Sequence, residues 1–167
     1  RNDGNNSFTE QTNISFVGVT YGFVCWGDYD NDGDLDILLT GFSGGLNSKI
    51  YKNNNSVKNT PPSSPTGVSA RLDNKKLIIS WQKSTDKETP QPGLTYNLRV
   101  GTTPGGCEIM SPMSLANGKR LIPAFGNAWQ NTSWTIDLSD YSPMPDHLYY
   151  SVQAIDNGFM GSEWSPE

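Results

Sequence analysis

The chain has 167 residues, of which 34% are hydrophobic and five are Trp, so one domain or two small ones can form a packed core. Its formal net charge is −5 and it contains no cluster of Lys or Arg, which argues against a nucleic-acid partner, since nucleic-acid binders present a basic face. The most apolar run, FVGVTYGFVCW, covers residues 16–26 and is much shorter than the about 20 apolar residues of a membrane-spanning helix. We therefore expect no membrane span.

Short runs rich in Val, Ile, Tyr and Trp predict an all-β chain. They are separated by turn residues such as Gly, Pro and Asn, and helical periodicity is nearly absent. In chain order the predicted strands are FVCW, LDILLTG, LIISW, TYNLRV, TSWTIDL and YYSVQAI. Cys25 and Cys107 are too few for a disulfide framework and have no metal-ligand spacing, so we expect packed or half-exposed thiols in preference to a bridge.

The first 60 residues contain a faint internal repeat. RNDGNNSFTE at residues 1–10 resembles KNNNSVKNT at residues 52–60, a period of about 50 residues that is typical of propeller blades. A closed propeller typically needs about 4–8 blades, so a single blade is incomplete without its neighbours. The chain opens RNDGNNS, without an initiator Met or a targeting segment. We therefore expect a piece of a longer protein, with the neighbouring propeller blades of that parent as partners.

The stretch DYDNDGDLD, residues 28–36, predicts a cation site. Aspartates occupy every second position: Asp28, Asp30, Asp32, Asp34 and Asp36. Each close carboxylate pair costs about 4 kcal/mol at an effective dielectric near 20, which a cation would offset. Gly33 permits the tight turn that directs several oxygens to one ion, and oxygen-only ligation favours Ca²⁺ over Zn²⁺. An EF-hand loop would need Glu at its twelfth position, where this chain has Leu39, and the apolar run that follows predicts a strand.

Loop and flanks together, VCWGDYDNDGDLDILLTG, resemble the FG-GAP or VCBS repeat, the blade of integrin-α-like β-propellers. KIYKNNN is similar to the closing strand of that family, so the resemblance covers residues 1 to about 60. It implies a structural calcium held by the carboxylates of Asp28, Asp30, Asp32 and Asp36 and by the main chain of Asp34. Two alternatives are a solvated acidic turn without a metal and a catalytic carboxylate pair. The second is disfavoured because nothing nearby would separate the pKa values of these carboxyl groups.

The Asn-, Ser- and Pro-rich stretch NNNSVKNTPPSSPTG marks a boundary near Thr60. The remaining residues, 61–167, have the short alternating strands of a β-sandwich. Alternation places two sets of apolar residues inward: Leu77, Ile79 and Trp81, and Tyr96, Leu98 and Val100. On the last strand it predicts Val152 and Ala154 inward, with Ser151 and Gln153 facing out. PTGVSA, LIISWQKSTD, TYNLRVGTTP and YYSVQAIDNGFMGSEWS together resemble a fibronectin type III domain.

The long connection MSLANGKRLIPAFGNAWQNTSW, residues 113–134, contains a candidate ligand-binding residue. Loops carry function more often than cores do, and Trp129 could provide an exposed stacking surface for a sugar ring. The alternative is that Trp129 packs over a hydrophobic edge. His147, the only His, has no Ser or Cys nucleophile arranged near it in the sequence, so we expect no catalysis there.

The sequence as a whole predicts a non-enzymatic, calcium-binding fragment of a large secreted or cell-surface protein that acts in adhesion, recognition or as a structural spacer. A composition rich in Asn, Gly, Ser and Thr agrees with an extracellular location. Its ligand would be a protein or a glycan. The rival hypothesis is a carbohydrate-binding accessory module of a polysaccharide-active enzyme. If calcium stabilises the fold by mass action, Asp36→Ala should lower the melting temperature in calcium and barely change it in EDTA.

Overall fold

The computed structural model describes residues 1–30, 32–56 and 58–167 and has an all-β fold. The strands are β1 Asn2–Gly4, β2 Ser7–Phe8, β3 Thr20–Gly27, β4 Asp36–Phe42, β5 Leu46–Tyr51, β6 Ser69–Asp73, β7 Lys76–Ser80, β8 Thr95–Gly101, β9 Ser133–Asp137 and β10 Tyr149–Ile155, with a 3-10 turn at Gln91–Gly93. Every predicted strand run overlaps one of them. In the part of the chain that is described, no helix has the length and apolar character required to cross a membrane.

Within the first 60 residues, β1 pairs with β2, and a separate antiparallel sheet with strand order β3-β4-β5 is apolar on both faces. Cross-strand partners share a face, and Trp26, Ile37 and Tyr51 are aligned across the three strands. The opposite face presents Phe23, Leu38 and Ile50. Trp26 and Phe23 are 53% and 65% exposed, so neither face is fully covered, although the ring of Phe16 packs edge to face on Tyr51. The buried hydrophobic residues of the described chain begin only at Leu77, so this sheet has no core of its own.

Residues 61–167 contain two sheets that share one hydrophobic core. One sheet has the order β6-β7-β9 and the other pairs β8 with β10. The inward faces predicted from alternation are confirmed, because both apolar sets are buried together with Val152 and Ala154. Trp81 meets Tyr96 edge to face across the two sheets, with ring centroids 5.7 Å apart. The Tyr96 hydroxyl accepts a hydrogen bond from the backbone N–H of Ser84 at 2.9 Å, which satisfies the phenol inside the core.

Ser151 and Gln153 lie on the outer face of their strand, as alternation predicts, but this face is not exposed to solvent: both side chains are fully buried. The reason is that the long connection and the C-terminal segment cover the outer face of the β8–β10 pair. The Gln153 side-chain N–H groups donate to the carbonyls of Gly118 and Ser162 at 2.6 and 2.8 Å. The Ser151 hydroxyl donates to the carbonyl of Ser165 at 2.7 Å. Both faces of this sheet therefore pack against protein.

The segment after β5 connects the first sheet to the two-sheet part. Asn59 donates a side-chain hydrogen bond to the buried carboxylate of Asp156 at 2.6 Å, and the Thr60 hydroxyl donates to Glu88 at 2.7 Å. The first bond holds the predicted boundary against the loop that follows β10, and the second holds it against the segment between β7 and β8. As a result, that loop lies beside the aspartate loop between β3 and β4. Cys25 is half-buried, Cys107 is exposed, and both thiols are unpaired, as expected.

Candidate functional site

The aspartate loop connects β3 to β4 and is closed at its base by the pairing of Gly27 with Asp36. Asp36 is the first residue of β4 and only 2% exposed. Its carboxylate accepts hydrogen bonds from the backbone N–H of Asn53 at 2.7 Å and of Tyr29 at 3.2 Å. Asp36 therefore joins the loop to the segment after β5, where the family resemblance placed the closing strand.

Within the loop, aspartate carboxylates accept hydrogen bonds from backbone N–H groups. The Asp28 carboxylate accepts the N–H groups of Asp32 and Gly33 at 3.0 and 3.1 Å, and that of Asp32 accepts the N–H of Asp34 at 3.0 Å. Gly33 has φ +91°, a left-handed conformation that a side chain would strain. The aspartate side chains, which are short hydrogen-bond acceptors at alternate positions, together with Gly33 therefore fold the loop tightly around Asp28.

The structure brings three of the predicted ligands together. Carboxylate oxygens of Asp28, Asp30 and Asp36 lie within 4.8 Å of one another. The other two carboxylates turn toward lysines. The ammonium of Lys58 lies 2.9 Å from an oxygen of Asp34, and that of Lys52 lies 3.3 Å from an oxygen of Asp32. Asp28, Asp30 and Asp36 thus converge, although Asp30 also contacts Lys52, and the carboxylates of Asp32 and Asp34 are directed to lysines.

Lys52 and Lys58 were missed by the sequence-based reasoning. Lys52 also contacts Asp30, and Lys58 approaches Asp32 at 3.6 Å, so the two ammonium groups offset part of the negative charge of the five aspartates. The hydrogen bond from Asp34 N–H and the two lysines lower the pKa of Asp32, while the bond to Asp34 raises the pKa of Lys58. The signal available in the sequence was the run KNNNSVK, which has a basic residue at each end just after the closing strand.

A cleft of about 890 Å³ lies between the aspartate loop and the two-sheet part. Asp32 and Gly33 line one wall, and Arg120, Phe159 and Met160 line the other. Contact is close, since a Cβ atom added at Gly33 would lie 3.3 Å from Cε of Met160. The Arg120 guanidinium donates to the carbonyls of Pro112 and Ala124, and burial lowers its pKa to about 10.

Trp129 lies at the surface of the long connection with its side chain 59% exposed. Its backbone is fixed, because its carbonyl accepts a hydrogen bond from the N–H of Tyr96 at 2.7 Å. The indole lies beside the ring of Phe125, with centroids 5.8 Å apart, and Phe125 in turn contacts Phe159 at 5.6 Å. Trp129 therefore has both an exposed face and an aromatic neighbour. His147 is exposed.

Comparison with known proteins identifies the first part of the chain. Residues 1–39 match the FG-GAP-like repeat, and this match includes the whole aspartate loop. The FG-GAP part of the resemblance is thereby confirmed, whereas the fibronectin type III part stays a prediction. No curated protein matches the chain. Among solved structures, the spore cortex lytic enzyme SleM of Clostridium perfringens is similar at 22% identity with a TM-score of 0.40. The match covers 75% of this chain and 34% of SleM, so the chain spans about a third of that enzyme's length.

Proposed function

We propose that this chain is a non-enzymatic, calcium-binding part of a larger secreted or cell-surface protein that serves adhesion, recognition or spacing. The observation that carries the proposal is the convergence of Asp28, Asp30 and Asp36 within 4.8 Å, inside a segment that matches the FG-GAP-like repeat. Proteins with FG-GAP repeats are typically extracellular, which supports the location. The family resemblance of residues 61–167 to fibronectin type III domains agrees with a role as a rigid spacer.

The residues present fit a calcium ion. Three carboxylates in a tight turn supply hard oxygen ligands, the kind that Ca²⁺ prefers, and the loop offers no Cys or His. Bound calcium would supply a divalent positive charge at the base of the loop. Lys52 contacts Asp30 and would have to release that carboxylate, while Lys58 could keep its partner Asp34. The lysines would then balance the carboxylates that the ion leaves uncompensated.

The parent protein would supply the missing blades. A sheet that is apolar on both faces is stable only when both faces are covered. The exposed side chains of Trp26 and Phe23 lie on opposite faces of the β3-β4-β5 sheet, which supports one neighbouring blade on each side. Calcium would stiffen the loop at the end of this sheet and so hold the register of β3 against β4.

The electrostatics support a role without catalysis. Hydrolysis by two carboxyl groups requires one acid with a raised pKa beside an ionised partner. In the aspartate loop the hydrogen bond from the N–H of Asp34 and the two nearby lysines lower the pKa of Asp32, which is the opposite of the change that a general acid needs. Burial raises the pKa of Asp156, but this residue is 1% exposed and its carboxylate binds Asn59 and the N–H of Met160. Asp156 therefore acts as a structural acceptor.

Titration calorimetry with Ca²⁺ on the chain and on its Asp30→Asn variant tests the proposal. The expected result is one binding site in the wild-type chain that is lost in the variant. Asp73→Asn is the matched control, because Asp73 is exposed and paired with Arg71 at 3.3 Å in a different sheet. Calcium binding that survives Asp30→Asn, or the same heat in all three proteins, would contradict the assignment of the loop.

A second candidate function, a carbohydrate-binding accessory module of a polysaccharide-active enzyme, is favoured by one observation. The Trp129 indole is 59% exposed next to Phe125, as a stacking surface for a sugar ring would require. A glycan array read with the wild-type chain and with Trp129→Ala separates the two candidates. Binding that is lost in the variant favours the carbohydrate module, and an array without signal favours the adhesion or spacer role.

A further inference from the structure

An aromatic strip, defined as Trp129, Phe125 and Phe159, runs from the surface of the long connection to the cleft beside the aspartate loop. Its ring centroids are spaced 5.8 and 5.6 Å apart. Trp129 and Phe125 are 59% and 51% exposed, and Phe159 is half-buried. Phe159 also lines the 890 Å³ cleft and a second hollow of about 450 Å³. The strip therefore links an open surface to two concave regions.

The backbone at both ends of the strip is in a conformation that disfavours large side chains. Trp129 has φ +53° and Phe159 has φ +61°, in the left-handed region that Gly and Asn usually occupy. Hydrogen bonds hold both turns: Trp129 N–H donates to Gly126 at 3.0 Å, and Phe159 N–H donates to Asp156 at 3.1 Å. Strained positions of this kind cluster at binding sites. The aromatic side chains at these two positions are therefore candidates for ligand contact.

The cleft next to Phe159 is lined by charged residues of both signs. Asp28 and Asp32 belong to the aspartate loop, Lys119 and Arg120 to the long connection, and Glu163 to the C-terminal segment. A ligand in the cleft would therefore meet both hydrogen-bond acceptors and donors. The volume lies within the range of about 300–1,000 Å³ that is typical of small-ligand sites.

The geometry points to a binding site for a neutral, linear polysaccharide, with sugar rings on the aromatic strip and one end of the segment in the cleft. A pyranose ring has an apolar face that stacks on aromatic rings and a rim of hydroxyls that both donate and accept. A polyanion would be repelled by the loop wall, since the chain as a whole has a net charge of −5. A purely apolar partner would remove water from the charged side chains that line the cleft without replacing those hydrogen bonds. This inference deepens the second candidate function and rests chiefly on the aromatic strip, because Asp28 of the cleft also belongs to the proposed calcium site.

Binding of cellohexaose, xylohexaose, mannohexaose and chitohexaose to the folded chain tests the inference, with an oligogalacturonate as the acidic probe. Titration calorimetry would compare the wild type with Phe125→Ala, Phe159→Ala and Phe159→Leu, the last of which keeps apolar bulk and removes the aromatic face. Tyr21→Ala is the matched control, because Tyr21 is fully exposed and also has positive φ, but lies on β3 outside the strip. We expect at least one neutral hexasaccharide to bind and each strip variant to weaken it about tenfold or more, which corresponds to 1.4 kcal/mol.

The outcomes separate this inference from the calcium proposal. Neutral binding that is reduced in the strip variants and unchanged in Tyr21→Ala supports the inference, whether or not EDTA is present. No binding to any neutral probe overturns it, as does binding that Phe159→Leu leaves intact or a preference for oligogalacturonate. A calcium titration on the same preparations reports separately on the aspartate loop, so a failed strip and a failed loop give different results.

Discussion

The clearest test of the aspartate loop compares Asp30→Asn with Asp36→Ala, because the carboxylates of these two residues have different hydrogen-bond partners in the structure. Asp36 is buried and accepts two backbone N–H groups, those of Tyr29 and Asn53. Asp30 is exposed, and among the described residues its carboxylate is hydrogen-bonded by the Lys52 ammonium. Removing Asp36 therefore damages the loop itself, whereas removing the charge of Asp30 chiefly affects a bound cation. This changes the expectation that Asp36→Ala would be nearly silent in EDTA.

The magnitudes follow from linkage and from the unpaired donors. Calcium at one hundred times its dissociation constant stabilises the folded state by about 2.7 kcal/mol. In a cooperative unit of about 60–100 residues, each kcal/mol of stability raises the melting temperature by roughly 4–8 °C. Saturating calcium should therefore raise the melting temperature by about 10–20 °C. Asp30→Asn should abolish this shift and change the melting temperature in EDTA little. Asp36→Ala should in addition cost about 1 kcal/mol or more for each orphaned N–H in both conditions.

The assay is differential scanning calorimetry of the wild type, both variants and Asp73→Asn, each in excess calcium and in EDTA. Asp73→Asn makes the same chemical change at an exposed ion pair outside the loop and should follow the wild type. The reasoning fails if the wild-type melting temperature does not respond to calcium. It also fails if Asp30→Asn and Asp36→Ala have the same profile, because the two carboxylates would then be equivalent.

Three further predictions concern the remainder of the chain. Gln153→Leu should lower the free energy of unfolding, measured by chemical denaturation, by about 2–4 kcal/mol, because it leaves buried hydrogen-bond partners unpaired. The surface variant Gln130→Leu should have no such effect. If the two variants are equally stable, the long connection does not cover β10. Lys58→Met should lower the melting temperature more in EDTA than in calcium, since a bound calcium ion would offset part of the loop's negative charge that Lys58 otherwise helps to offset. A larger loss in calcium would contradict this. Burial raises the pKa of Asp156 above its ordinary 3.8, so the folded chain keeps a proton that the unfolded chain loses, and stability falls as pH rises from about 4. As the pH rises from about 4, the melting temperature of Asp156→Asn should increase relative to that of the wild type. If the difference between the two melting temperatures does not change with pH, the raised pKa of Asp156 is refuted.

The strand pattern was largely predictable because it is a local property. LIISW became β7 with Leu77 and Ile79 buried, and TYNLRV became β8, since alternating apolar residues follow the two-residue period of a strand. The aspartate loop was predictable for a similar reason. Asp28 accepts N–H groups only four and five residues ahead, so its curl depends on nearby residues alone.

The two missed features depend on residues that are distant in sequence. Gln153 was assigned to the outer face, but the chain that buries it includes Gly118, 35 residues away. Lys58 is 24 residues from Asp34, and nothing in the loop sequence indicates that a lysine approaches. Alternation tells which side of a strand a residue faces, and it is silent on what covers that side.

The amino-acid sequence by itself thus determined the strands, the turn of the aspartate loop and the hydrophobic faces, because backbone angles, local hydrogen bonds and period-two alternation act over a few residues. The tertiary structure alone decided which carboxylates converge and which pair with lysines. It also decided which sheet is covered on both faces, and that Phe159 lies at a cleft beside the loop. These arrangements result from packing and desolvation summed over segments far apart in the chain, and no short window of sequence contains that sum.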